Sequence, residues 1–201
     1  MADTLDTALV ARRRRSDAQR SIDAIIGAAH TVLGERPDAS MEDIAATAGV
    51  TRQTVYAHFP SRDALIDALL QATGAEIRAA IDATNLDAAP PADALRQFFD
   101  ICWQFVRRYP LLLDPALTRI AQRHGHAVHH AATARLEQLI QRGQSVGDFD
   151  RTLSATWLAV AILGLVHTAT EQVAAGCLTT SQAAPMVLDS ALRLCGATDA
   201  R

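Results

Sequence analysis

Five polar side chains in one short segment have the types that contact nucleic acid. Arg52, Gln53, Thr54, Tyr56 and His58 lie within two turns of a predicted helix. Arginine and glutamine can each form two hydrogen bonds to a base edge in the major groove, and the other side chains can reach base edges or phosphate oxygens. The segment therefore predicts a surface that binds the major groove of a duplex.

A second cluster of chemically active side chains consists of His124, His126, His129 and His130. His126 and His130 are four residues apart, a spacing at which two imidazoles on one helix can bind a metal ion. No carboxylate or cysteine lies close by in the sequence to complete such a site. A solvated, pH-sensitive turn is the alternative interpretation, and we predict no metal and no cofactor.

Signals for helix starts and ends place the first cluster on the second of two short helices. Ser40 and Asp43 can form a capping box, and Thr51 can cap the helix that carries the cluster. Gly49 lies where a tight turn needs a positive φ, and Ala45 is small enough for the helices to cross closely. This arrangement is typical of a helix-turn-helix, with an ordinary helical hairpin as the alternative.

Residues 40–62, SMEDIAATAGVTRQTVYAHFPSR, resemble the TetR family of bacterial transcriptional repressors, and the resemblance covers residues 16 to about 70. Gln53 departs from the family pattern, in which Gly, Ala or Pro is common at this position. We predict sequence readout by Arg52 and Gln53, because a glutamine can both donate to and accept from an adenine edge. The predicted DNA-binding residues are Ser40, Thr51, Arg52, Gln53, Thr54, Tyr56, His58 and Arg62, and among them Ser40, Thr51, Tyr56, His58 and Arg62 resemble phosphate contacts.

Composition predicts an all-α protein without a global attraction to nucleic acid. Alanine, the strongest helix former, supplies 40 of the 201 residues, and 49% of the chain is hydrophobic. All 19 basic residues are arginines, and the net charge is −3. Any nucleic-acid contact must therefore be local. The sequence contains no nucleophile elbow, phosphate-binding loop, dinucleotide-binding motif or HExxH, so we predict that the protein is not an enzyme.

The sequence predicts a cytoplasmic location. The longest apolar run, residues 157–166, is about half of the roughly 20 residues that a transmembrane helix needs. The arginines at positions 12–15 are not followed by the apolar core of a secretion signal. Three cysteines at wide spacings predict buried thiols and neither disulfides nor a zinc site.

Three regions are predicted: a flexible arginine-rich arm at 1–15, a helix-turn-helix domain at 16–62 and a larger helical domain at 63–201. The arm either tracks phosphates or a narrow minor groove, or is a solvated tail. In the first domain a helix begins after a capping box at Ser16. The larger domain contains predicted helices at about 115–123, 127–142 (ended by Gly143), 152–175 and 183–194, the last with Pro185 in its first turn.

The family resemblance implies that the larger domain binds an effector and dimerises through the last two helices. A stripe of aromatic and thiol side chains at helical spacing could line the effector pocket, although such a stripe is more often core. His167 could be a polar anchor in that pocket or a satisfied core or interface histidine. The candidate ligand-binding residues are Phe98, Phe99, Cys102, Trp103, Phe105, Tyr109, Trp157 and His167.

We therefore predict a homodimeric repressor that binds a palindromic DNA operator and is released by a small apolar effector. Activation is compatible with the same residues. The alternative is a helical metal-binding protein or enzyme that uses the histidines at 124–130, with the helix-turn-helix incidental. A third possibility is a DNA-binding protein that has no effector.

Overall fold

The computed structural model describes residues 2–113 and 127–197, with the backbone alone for 2–15 and 127–131. Within these ranges every regular element is helical, which confirms the all-α fold. The predicted helix at 115–123 lies outside the described residues. The α-helices are α1 (Ala2–Glu35), α2 (Met41–Ala48), α3 (Arg52–His58), α4 (Arg62–Ala83), α5 (Pro91–Arg108), α6 (Ala127–Val146), α7 (Ala155–Ala174) and α8 (Thr180–Leu194), with 3₁₀ turns at Leu86–Ala88 and Pro110–Leu113.

The chain divides into two units, Met1–Leu69 and Leu70–Arg201. In the first unit, α1 packs on α2, and α2 packs on α3. Apolar residues four apart on α1 form one buried face, which is the pattern of an amphipathic helix. The fully buried side chains of this unit include Ile25, Leu33, Ile44, Val55, Leu65 and Leu69.

The first helix begins at Ala2, so the start predicted at Ser16 is wrong, and Ser16 lies inside α1. Residues 2–15 are rich in alanine, leucine and arginine, all strong helix formers, and their propensity extends the helix beyond the local capping signal. The division into an arm and two domains, with a boundary near residue 62, stays a prediction.

The second unit has a core built from α5, α6, α7 and α8. Helix α7 packs on α6 and on α8, and α5 packs on α6 and α8. The proline at position 91 begins α5, where its missing N–H costs no hydrogen bond. The buried core side chains include Leu95, Phe98, Phe99, Leu139, Ile140, Leu158, Ile162 and Val187.

Helix α6 does not end at Gly143, as the sequence predicted, but continues to Val146. A Cβ at Gly143 would overlap the ring of Phe149, which is 3% exposed. The glycine therefore allows close packing inside the helix, and Gly147, with a φ of 89°, lies just beyond its end.

Helix α8 begins earlier than predicted. Thr179 and Gln182 form a reciprocal capping box, so the first helical residue is Thr180. Pro185 consequently lies beyond the first turn, contrary to the prediction, and it is exposed. At the other end of α8, the carbonyl of Cys195 accepts a hydrogen bond of 2.8 Å from the N–H of Asp150.

Candidate functional site

The first short helix of the predicted motif begins with a reciprocal capping box. The backbone N–H of Asp43 donates to Ser40 Oγ at 3.2 Å, and the backbone N–H of Ser40 donates to Asp43 Oδ2 at 2.9 Å. The hydroxyl of Ser40 also donates to that carboxylate oxygen at 2.6 Å. Ser40 is exposed at the start of α2, and its hydroxyl is engaged with Asp43 in the isolated chain.

These hydrogen bonds lower the pKa of the Asp43 carboxyl. The hydrogen bond from the Ser40 hydroxyl has the largest effect, followed by the bond from its backbone N–H, since both favour the ionised form. Arg36, whose Nη2 lies 3.6 Å from Asp43 Oδ1, acts in the same direction. The start of α2 therefore carries a negative charge at neutral pH, where it interacts favourably with the positive end of the helix dipole.

The turn between the two short helices has the predicted geometry. Gly49 has φ 67° and ψ 27°, in the left-handed region where a side chain is strained. The N–H of Val50 donates to the carbonyl of Ala45 at 3.1 Å and closes the end of α2. Ala45 is buried, as close crossing of the helices requires.

The second short helix, α3, is fixed at its start by two threonines. The N–H of Thr54 donates to Thr51 Oγ1 at 3.1 Å, and the two hydroxyl oxygens lie 2.8 Å apart. This confirms the predicted cap. Val55 and Phe59 are buried and attach the helix to its unit. On the opposite side, Arg52, Gln53 and Tyr56 are exposed, whereas Thr54 and His58 are half-buried.

The exposed side of α3 therefore gathers three of the side chains for which base readout or phosphate contact is predicted. Helix α3 contains no Asp or Glu. Arg52 Nη1 lies 3.4 Å from Oε2 of Glu42 in α2, and the guanidinium carbon lies 5.4 Å from the centre of the Tyr56 ring. Because the motif and its exposed polar face are both present, the geometry can fit a major groove, which admits one helix. The individual DNA contacts stay predictions.

Arg62 has a contact that the sequence did not predict. Its part-buried guanidinium donates hydrogen bonds to the backbone carbonyls of Pro37 and Ala39, in the loop that precedes α2. Arg62 is thus engaged within its own unit, and its predicted phosphate contact stays a prediction. The neighbouring residue Ser61 caps α4 through a hydrogen bond of 3.1 Å from the N–H of Ala64.

The candidate ligand-binding residues are spread over the core and the surface of the second unit. Phe98, Phe99 and Trp103 are buried in the core of the second unit, and the rings of Phe98 and Phe99 meet edge to face at 5.6 Å. Trp157 is 60% exposed on α7. The remaining candidates, Cys102, Phe105, Tyr109 and His167, are half-buried.

Burial shifts the pKa of three titratable groups in this set. It raises the pKa of Cys102 to about 12, so this thiol stays protonated at neutral pH. It also raises the pKa of Tyr109, whose hydroxyl donates to Glu76 Oε2 at 3.0 Å, and the negative charge of Glu76 adds to the shift. Burial lowers the pKa of His167, while the charge of Glu171 acts in the opposite direction.

A cavity of about 180 Å³ lies between α4 and α6 in the second unit. An adjoining, more open hollow is lined by residues 82–85 together with Asp87, Arg135 and Gln138. Two of these lining residues form an ion pair, with Nη2 of Arg135 3.1 Å from Oδ2 of Asp87. This cavity was not predicted from the sequence, although Gly74, a residue unfavourable inside a helix, is a usable signal. The residues lining the cavity are Gly74, Ile77, Arg78, Ile81, Asp82, Ala132, Ala134, Arg135 and Gln138.

The histidine cluster falls where the structure gives little description. His124 and His126 lie outside the described residues, and His129 and His130 lie in α6 with only the backbone described. Within the described part of the chain, no group of three or more His, Cys, Asp or Glu side chains could hold a metal ion.

Comparison with known proteins agrees with the helix-turn-helix. Residues 25–69 match the family described as bacterial regulatory proteins, tetR family. The HTH-type transcriptional repressor LfrR from Mycolicibacterium smegmatis is 39% identical over 79 residues, which are 39% of this chain. This match spans 42% of the length of LfrR.

Solved structures resemble nearly the whole chain. The fatty acid degradation regulator FadR from Bacillus halodurans has a TM-score of 0.72 at 22% identity, covering 90% of this chain and 97% of that one. The TetR transcriptional regulator SCO0520 from Streptomyces coelicolor has a TM-score of 0.57 at 26% identity, covering 90% and 99%. LfrR in complex with proflavine has a TM-score of 0.58 at 24% identity, covering 86% and 94%. Residues 25–69 thus match the tetR family of bacterial regulatory proteins, and nearly the whole chain has the fold of these solved regulators.

Proposed function

We propose that this protein is a cytoplasmic transcriptional repressor that binds a palindromic DNA operator as a homodimer and is released by a small apolar effector. The observation that carries the proposal is the capped helix-turn-helix, whose second helix exposes Arg52, Gln53 and Tyr56. The relatives named above are transcriptional regulators, which supports regulation over enzymatic activity. The metal-binding alternative has no supporting contact among the described residues.

Dimerisation through α7 and α8 is supported by apolar side chains that one chain leaves exposed. Trp157 and Val160 on α7 are 60% and 53% exposed, and Met186 on α8 is 55% exposed. By length and composition alone, helix α7 is long and apolar enough to span a membrane. Its opposite face packs in the core through Leu158 and Ile162, so a second copy of the chain is the better partner for the exposed face.

Effector binding is assigned to the cavity between α4 and α6. Its floor is apolar, formed by Ile77, Ile81 and Ala132, and arginine, aspartate and glutamine side chains lie at its edge. This combination suits a small ligand with an apolar body and a few polar atoms. The effector releases DNA to the extent that it binds more tightly to a dimer whose recognition helices are wrongly spaced for the operator.

Selection of bound duplexes from a random library tests the DNA-binding part. We expect enrichment of a palindrome whose half-sites lie about one helical turn apart, with affinity that falls steeply as salt rises. The variant Arg52→Ala/Gln53→Ala should lose this specific binding. The matched control is Arg96→Ala/Gln97→Ala, an exposed Arg-Gln pair on α5, and it should bind as wild type. Failure to enrich any sequence would contradict the proposal.

The dimer and the effector are tested separately. In sedimentation experiments the wild-type protein should have twice the 21.5 kDa mass of one chain. Trp157→Arg should shift the measured mass toward that of the monomer. Ala79→Arg, at an exposed position of α4, should leave the mass unchanged. Once a screen identifies a compound that releases the operator, Ala132→Trp should fill the cavity and abolish release without weakening DNA binding. Release by that compound from the Ala132→Trp variant would place the effector elsewhere.

A further inference from the structure

Two side chains flank the guanidinium of Arg52, the first residue of α3. Its Nη1 lies 3.4 Å from Oε2 of Glu42, which lies in the first turn of α2. Its guanidinium carbon lies 5.4 Å from the centre of the Tyr56 ring, one turn further along α3. Arg52 is therefore held from two sides, by the carboxylate of Glu42 on α2 and by the ring of Tyr56 on its own helix, α3.

The stability of the fold does not account for this pair. The Arg52 and Glu42 side chains are 61% and 73% exposed, and ion pairs at such exposure add little to stability. The negative charge of Glu42 does favour the start of α2, but any acidic residue in that turn would do the same without contacting α3. The contact across the motif calls for a different explanation.

The charge of Glu42 opposes binding to the DNA backbone. A guanidinium close to a carboxylate has less charge to offer a phosphate, and the carboxylate itself is repelled by phosphates. At the same time, a hydrogen bond at Nη1 restrains the plane of the guanidinium and leaves its other donors for a partner. An arginine reads guanine through two parallel hydrogen bonds, so the orientation of this plane decides whether it can do so.

We propose that Glu42 is a positioning residue that sets the sequence specificity of Arg52. It orients the guanidinium toward base edges and weakens the binding of Arg52 to phosphates of unrelated sequence. The proposal rests on the operator binding proposed above. Glu42 contributes through its contact with Arg52, and Tyr56 completes the support from the second side.

The test compares the affinity for the selected operator with that for a scrambled duplex of the same length and salt. Wild type, Glu42→Ala and Glu42→Gln are measured, with Glu35→Gln, an exposed acidic residue at the end of α1, as the charge-matched control. Glu42→Ala should lower the operator-to-scrambled affinity ratio about twofold to fivefold, the range expected for an exposed ion pair. Glu42→Gln should bind the scrambled duplex more tightly while keeping more of the base preference, since its amide oxygen can still accept from Arg52. Glu35→Gln should leave the ratio unchanged.

Repeating Glu42→Ala in an Arg52→Ala background separates positioning from a general charge effect. If Glu42 acts through Arg52, the second substitution leaves the base preference of the Arg52→Ala protein unaltered. Two results would overturn the role of Glu42 without affecting the proposed function. One is that Glu42→Ala lowers the operator-to-scrambled affinity ratio equally in the wild-type and Arg52→Ala proteins. The other is that Glu42→Ala and Glu35→Gln give the same ratio. A wild-type protein that prefers no sequence would overturn both this role and the proposed function.

Discussion

Arg62, the first residue of α4, donates a hydrogen bond through its guanidinium to the backbone carbonyl of Ala39, the residue just before the cap of α2. A second hydrogen bond goes to the carbonyl of Pro37. One side chain thus fixes the loop that sets the position of Ser40, although the two helices are separated in the sequence by the whole of α3.

Replacing Arg62 with Lys or Gln should lower the free energy of unfolding by about 1–3 kcal/mol, because neither side chain has the planar fork of donors with which the guanidinium reaches both carbonyls. Denaturant unfolding measures this loss. Arg96→Gln, which removes an exposed arginine from α5, is the control.

Salt dependence distinguishes this structural contact from the predicted phosphate contact. If Arg62 only holds the loop, the slope of log affinity against log salt is the same for Arg62→Gln and wild type. Arg62 would instead be assigned to a phosphate if Arg62→Gln lowered the magnitude of this slope by about 0.9 and Arg62→Lys were as stable as wild type.

The capping box makes the first unit sensitive to acid. Because the pKa of folded Asp43 lies below its usual value of 3.8, its contribution to stability is present above that pH and is lost as the pH falls through the folded pKa. We expect Ser40→Ala to raise this pKa toward 3.8, as measured by NMR titration of the carboxyl carbon. Asp150, whose pKa is lowered by hydrogen bonds from Thr152, is an internal control and should not respond. An unchanged Asp43 titration would contradict the assigned cause.

Two helix-interior glycines should respond in opposite directions to alanine. Gly143→Ala places a methyl group against the Phe149 ring and should destabilise the protein by about 1–3 kcal/mol. Gly27→Ala meets no neighbouring atom and should stabilise α1 by about 0.5–1 kcal/mol through helix propensity. Denaturant midpoints compare the two, and a stabilised Gly143→Ala protein would show that the ring can move aside at little cost.

The three thiols should differ strongly in reactivity. Cys177 is exposed, whereas burial raises the pKa of Cys102 to about 12 and that of Cys195 to about 11. Since the thiolate is the reactive form, iodoacetamide near pH 8 should modify Cys177 first. Mass spectrometry of digested peptides measures the three rates, and denatured protein should react at all three sites. Equal rates in the folded protein would contradict the assigned burial.

The sequence predicted those parts of the structure that depend on neighbouring residues. The helix caps and the turn depend on contacts between residues that are close in the sequence. The residue types at positions 40, 43, 49 and 51 therefore sufficed to indicate both short helices and the turn. The contacts of Arg62 could not be predicted in this way, because its acceptors are backbone carbonyls, which every residue carries. The pairing of Arg52 with Glu42 likewise depends on how two helices cross.

Where the prediction of the second unit was wrong, tertiary packing outweighed local preference. Gly143 is a helix-ending residue in isolation, but the ring of Phe149 occupies the space that the glycine leaves. Phe98, Phe99 and Trp103 lie on one helix, as their spacing predicted, and the alternative interpretation of the stripe as core fits the burial. Periodicity identifies which face of a helix is apolar, but it does not indicate whether a neighbouring helix fills or leaves open the space beside it.

The attachment of α8 to Asp150 through the carbonyl of Cys195 also bears on the order in which the protein forms during synthesis. Ribosomes make chains from the amino end at about 5–20 residues per second, so residues 1–69 are complete well before α8 exists. The second unit must wait for Val187, Ala191 and Cys195 to close its core. A chain terminated early would therefore carry a finished helix-turn-helix on an unfinished partner unit, with the apolar side chains of α7 open to aggregation.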